Sequence, residues 1–196
     1  MASVMKKVLL GLLLIVSLSG CMPPRQPSDV SNVCHIFKEN PQWYRDAKSV
    51  EKRWWVPIPV QMAIMHQESK FDAHARPPRT KLFSLIPWKR PTTAYGYSQA
   101  LNGTWALYRK SGGGFFASRT SFADAVDFIG WYANQAYQRA RIHRSNAYAL
   151  YLAYHEGIGG YQRRTYLHKA WLPPVARKVE NRARIYRSQL AYCHLR

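Results

Sequence analysis

The sequence predicts an all-α fold built from many short helices, and three observations carry that expectation. Apolar residues recur at three- and four-residue intervals through most of the chain beyond residue 30. No stretch alternates apolar and polar residues long enough to demand a strand. Prolines, glycines and small polar residues fall where the periodic runs start and stop. At 196 residues the chain is long enough to bury a real core as a single domain.

The first residues stand apart from that domain. Lys6-Lys7 precede "VLLGLLLIVSL", an apolar run too short to span a bilayer, and "LSGC" follows. This order resembles a lipoprotein signal peptide over residues 1–20, with Cys21 lipidated as the first residue of the mature chain. Residues 21–30, rich in proline, are expected to be a tether, and residues 31–196 the domain. The expected address is the cell envelope, lipid-anchored at the periplasmic face of an outer membrane. Cys34 and Cys193 then remain, an even count in a compartment that permits disulfides. A bridge between them would tie the last helix to the first.

The helical elements follow in order. A helix or pair of helices runs from Val30 to Trp54, interrupted near "NPQW" by Pro41. "PIPVQMAIMHQES" gives another, with Val60, Ala63, Ile64 and Gln67 on one stripe. "NGTWALYRKSGGG" is a short helix stopped by Gly112 to Gly114. "SFADAVDFIGWYANQAYQRARI" reads as the longest, with Ser121 and Asp124 as a capping box. "NAYALYLAYHEG", "GGYQRRTYLHKAW" and a final helix opened by Pro173-Pro174 close the chain. Residues 76–93, with four prolines and five basic residues, interrupt the pattern as an insertion, either a solvated loop with a small β-hairpin or a groove wall.

Lys and Arg total 29 against 10 acids, a formal charge of +19. That favours anionic surfaces, phospholipid headgroups or acidic wall polymers, while the exported address argues against nucleic acid. With so few acids, each can be weighed. Asp124 caps a helix, Asp72 turns the chain after one, and Asp127 could be a buried hydrogen-bonder. Glu68 and Glu156 are left. Glu68 follows Ile64 by one helical turn, over an apolar flank. A carboxyl held there loses hydration and keeps its proton, and a neutral acid can donate to a departing oxygen. The same Glu at a helix end could equally reach solvent or pair with Lys70.

Three blocks in order, Glu68-Ser69, "GYSQ" at 96–99 and "AYHEG" at 153–157, resemble those of the soluble lytic transglycosylase (SLT) family over residues 55–190. The resemblance implies a lysozyme-like multi-helix domain acting on peptidoglycan glycan strands. It implies Glu68 as the catalytic acid and base, with Ser69 orienting the reacting sugar or the Glu, and Gln99 lining the glycan groove. Tyr154 would hydrogen-bond the carboxyl, and Tyr161 or Tyr186 would supply a late aromatic. Tyr97, Trp105 and Tyr154 are aromatic enough to stack on sugars, although Trp105 and Trp131 suit a core. The blocks depart from the family where Tyr97-Ser98 replaces Leu-Met and where His155 replaces Asn, with Glu156 beside it. His155 and Glu156 either form a second titrating pair or finish a helix.

The implied reaction cleaves the β-1,4 bond between N-acetylmuramic acid and N-acetylglucosamine, leaving a 1,6-anhydro sugar. The other readings are a goose-type muramidase, in which water attacks, and a glycan-binding envelope scaffold without catalysis. No metal or other cofactor is expected. The expected partners are peptidoglycan strands and, through the N-terminal lipid, a membrane; the chain is expected to be a monomer.

Overall fold

The computed structural model describes residues 26–82, 86–87 and 90–195. The expected signal segment and Cys21 lie outside them, as do Phe83 and Trp88 of the insertion. Eight α-helices are described. Asn32 opens α1 (Val33–Glu39), its side-chain oxygen accepting from the N–H groups of Cys34 and His35 at 3.0 and 3.3 Å. Pro41 fills the first position of α2 (Pro41–Trp54), where its missing N–H costs nothing. Then come α3 (Ile58–Ser69), α4 (Asn102–Ser111), α5 (Phe122–Ala140) and α6 (Ala147–Glu156). The chain closes with α7 (Ile158–Gln162), a 3₁₀ turn at Thr165–His168, and α8 (Leu172–Ala191).

The all-α expectation holds, with one small exception that the insertion anticipated. Strands β1 (Lys81–Leu82) and β2 (Ile86–Pro87) pair antiparallel, Lys81 opposite Pro87 and Leu82 opposite Ile86. Arg90 donates to the Pro77 carbonyl and closes the base of this hairpin.

Helix α3 is the axis of the molecule. It packs against α8, α5, α2 and α6, and every residue from Ile58 to Met65 is buried. The one-sided stripe expected of it is therefore incomplete: Met62 and Met65 are buried too, and Gln67 is exposed. A helix surrounded by neighbours has no solvent face to reserve for polar residues. Its buried Gln61 is retained because its amide donates to the Val56 and Ala47 carbonyls at 2.7 and 3.2 Å. Around α3 the core is strongly aromatic, with Trp43 stacked on Phe122 at 4.1 Å between ring centroids. Gly130 lets α2 and α5 approach closely, since a Cβ there would fall 2.5 Å from Val50 and 2.6 Å from Trp54.

Three expectations need correction. The longest described helix is α8, with 20 residues against 19 in α5. Ser121 does cap α5, accepting from Asp124 N–H, but the Asp124 carboxylate reaches Ser118 N–H at 2.9 Å. Its short side chain makes a different return bond from that of a capping box. The tether does not extend to residue 30. Gln26 donates to the Lys70 carbonyl at 2.7 Å, Pro27 is buried, and Ser28 is held by Glu39. Cys34 and Cys193 are joined by a disulfide, their Cα atoms 5.7 Å apart, which fastens α1 to the end of α8. Among the described residues no helix is long and apolar enough to cross a membrane.

Candidate active site

Glu68 sits in the last turn of α3, after the run of buried residues ends. The chain leaves the helix abruptly, with Lys70 and Phe71 both in the left-handed region at φ 51° and 64°. Solvent still reaches part of Glu68, yet protein surrounds its carboxyl densely. This burial pushes its pKa from an ordinary 4.5 up to about 7, against the nearby Tyr151 hydroxyl, which pulls the other way. The negative end of the α3 dipole also disfavours a carboxylate there. Near neutral pH a large share of Glu68 is thus a neutral acid.

The second block forms a turn pinned from several sides near Glu68. Ser69 donates to the Tyr97 carbonyl at 2.7 Å, and Tyr154 donates to that of Ser98 at 2.7 Å. The Gln99 amide donates to the Ala75 and Gly96 carbonyls, both at 2.8 Å. Gly96 is required here. It has φ 75°, and a Cβ would lie 2.1 Å from the Arg119 carbonyl oxygen.

Beside the turn lies a cavity of about 240 Å³ whose lining includes Gln99, Thr104, Phe128, Tyr132, Tyr154 and His155. Tyr154 connects it to the acid: one side lines the cavity, and its hydroxyl is near enough for the Glu68 charge to raise its pKa, after burial. Thus Gln99, Tyr154, His155 and Glu156 share the cavity, and Tyr154 links it to Glu68. A separate groove of about 330 Å³ between α3 and α8, lined by His66, Gln67, Lys178 and Arg182, lies on the opposite flank of α3.

The remaining residues are placed otherwise. Tyr97 is fully buried between Trp43 and Phe122, so it is a core residue and offers no face to a sugar. Ser69 has its hydroxyl proton committed to backbone, so it fastens the turn to α3 rather than orienting a sugar. Tyr161 stacks on Tyr166 at 5.7 Å, away from the cavity, and buried Tyr186 donates to the Val30 carbonyl. Neither reaches Glu68. Tyr154, expected to hydrogen-bond the Glu68 carboxyl, gives its proton to the Ser98 carbonyl, and it is Tyr151, one turn earlier on α6, that favours the charged form of Glu68. Tyr148, Tyr151 and Tyr154 recur every three residues, a spacing that placed all of them on related faces without singling out Tyr151.

Glu156 also lines the cavity, where it finishes the helix end and is held as a carboxylate by its neighbours. Burial alone would raise its pKa, but Lys169, Thr165 and His155 outweigh that and hold it down at about 2. The contacts are 2.7, 2.5 and 3.0 Å. Its side chain is only 4% exposed, covered by these three partners near the surface rather than deep in the core. Asp127 is likewise engaged, accepting from Trp54 Nε1 at 2.7 Å, Tyr108 at 2.9 Å and Arg53 at 3.2 Å.

A family model described as a transglycosylase SLT domain matches residues 9–193. Neither curated proteins nor solved structures gave a match. The match takes in every described element, the α3 acid and the turn facing it, and it implies a transglycosylase-type activity on peptidoglycan. The chain belongs to the transglycosylase SLT domain family.

Proposed function

We propose that the protein is a lytic transglycosylase that cleaves the β-1,4 bond between N-acetylmuramic acid and N-acetylglucosamine. The supporting observation is a single carboxyl with a raised pKa, Glu68. Glu156, on the cavity wall, is held as a carboxylate by Lys169, Thr165 and His155, and Asp127 is engaged by Trp54, Tyr108 and Arg53. Hydrolases of the two-carboxyl kind need a nucleophile or a base opposite the acid. Here Glu68 serves twice. Its proton passes to the leaving glucosamine O4 as the C1–O4 bond breaks. The carboxylate then takes the proton of the muramyl C6 hydroxyl while O6 bonds to C1. The acid is restored, and no water is consumed.

The low-dielectric setting lets one group perform both steps, because a pKa of about 7 makes donation and recovery of the proton nearly balanced. Tyr151 is a positioning residue that holds the carboxyl and keeps its pKa from rising further. Tyr154, Gln99 and His155 border the space for the glycan. The reading also places the protein at the cell envelope, lipidated at Cys21.

Incubating the full chain with purified sacculi and weighing the released muropeptides tests the reaction. Products lighter by one water than reducing-end fragments are expected, and none from Glu68→Gln. Reducing-end products would contradict the internal attack.

A further inference from the structure

Past the end of α4 the chain reads Gly112-Gly113-Gly114-Phe115-Phe116, and both phenylalanines stand in solvent, 76% and 92% exposed. Two adjacent aromatic rings left out of a core need a cause, because burying such surface is favourable. The loop that carries them is held in shape. Gly113 and Gly114 N–H groups donate to the Tyr108 and Arg109 carbonyls at 2.9 and 3.3 Å. Arg109 donates to the Phe115 carbonyl and lies 4.9 Å from the centre of its ring.

The surroundings are cationic. Arg109 and Lys110 occupy the last turn of α4, and Lys52 and Arg53 the last turn of α2. Arg53 donates to the Gly112 carbonyl at 2.8 Å, which brings the end of α2, with its exposed Trp55, to the base of the same loop. The chain as a whole carries +19.

We infer that this loop is a membrane-contact tip, with Phe115 and Phe116 entering the acyl region of an anionic bilayer while Arg109, Lys110 and Lys52 meet the headgroup phosphates. An apolar tip rimmed by cations matches the order of a bilayer surface, phosphate outside and hydrocarbon beneath. A glycan fits worse. The two rings are perpendicular, 89° apart at 5.2 Å, so they form no common platform for successive sugars. Phenylalanine also lacks a polar handle for sugar hydroxyls.

The contact leaves the candidate site free. Leu101 and Thr104, at the other end of α4, line the cavity beside Tyr154. The rise of α4 from Thr104 to Ser111 separates that cavity from the loop by about 10 Å.

The test uses the full chain with a photoreactive benzoylphenylalanine at position 116 or, as a control, at exposed Gln138. Gln138 lies near the far end of α5, about 24 Å along that helix from Phe122. Each protein is irradiated with phosphatidylglycerol-containing vesicles, with phosphatidylcholine vesicles, and with sacculus fragments. Lipid adducts are expected at 116 roughly tenfold above those at 138, and they should be lost when phosphatidylglycerol is omitted. An N-terminal anchor would bring both positions to the vesicle equally, so the ratio reports the loop alone. Equal labelling at the two positions, or glycan adducts at 116 in place of lipid ones, would overturn the inference.

Discussion

The Tyr151 hydroxyl on α6 faces the Glu68 carboxyl at the end of α3, and its interaction there restrains the rise in that acid's pKa. Removing it should let burial act unopposed. Tyr151→Phe is therefore expected to move the alkaline limb of the kcat/KM profile above pH 7, with activity at neutral pH lower by about tenfold. Tyr154→Phe, which loses the bond to the Ser98 carbonyl, should leave that limb nearly in place. A pH–rate series on solubilised glycan separates the two.

The same acid makes stability depend on pH. Its folded-state pKa of about 7 lies above the ordinary 4.5, so the folded protein holds the proton more tightly. Stability is greatest below pH 4.5 as far as this group is concerned, falls as pH rises to 7, and is level beyond. Glu68→Gln should therefore be more stable than the parent at pH 8 by about 2–3 kcal/mol, and not at pH 4.5. Urea denaturation at both values measures it.

Glu156 should behave in the opposite sense. Its pKa of about 2 lies below the ordinary 4.5, so its contribution is present above pH 4.5 and lost as pH falls through 2. Glu156→Gln is expected to cost about 1–2 kcal/mol at neutral pH and to change kcat by less than about threefold. A near-complete loss of kcat with an unchanged melting temperature would make it a second catalytic carboxyl.

The turn facing Glu68 depends on a backbone that only glycine tolerates. Gly96→Ala would combine φ 75° with an overlap against Arg119, for a cost of about 2–4 kcal/mol. Because Gln99 and the Ser98 carbonyl ride on this turn, KM for glycan should rise even at temperatures where the variant stays folded. Thermal melts paired with kinetics check this.

Much of this was legible in the sequence. Helical periodicity with Pro41, Gly112, Gly157 and Pro173 as punctuation placed nearly every helix, since these residues act through local sterics. Glu68 stands out as an acid on the flank of an apolar helix, and the resemblance of the three ordered blocks singles it out. Other details depended on contacts between distant segments. The sequence leaves Tyr97 open as a sugar platform, because exposure cannot be seen in one aromatic residue; its burial comes from Trp43 and Phe122. Tyr151 and Tyr154 differ by one helical turn, and only the crossing of α6 over the end of α3 decides which one meets the acid. Gln26 to Ser28 read as tether in the sequence because the partners that hold Gln26 and Ser28, Lys70 and Glu39, lie elsewhere in the chain.

The most direct test of the central claim is the titration of Glu68 itself, followed by carboxyl-carbon NMR on protein labelled at glutamate, with Glu68→Gln assigning the signal. A midpoint near pH 7 is the predicted result. A midpoint near 4.5, the ordinary value for an exposed glutamate, would contradict the account.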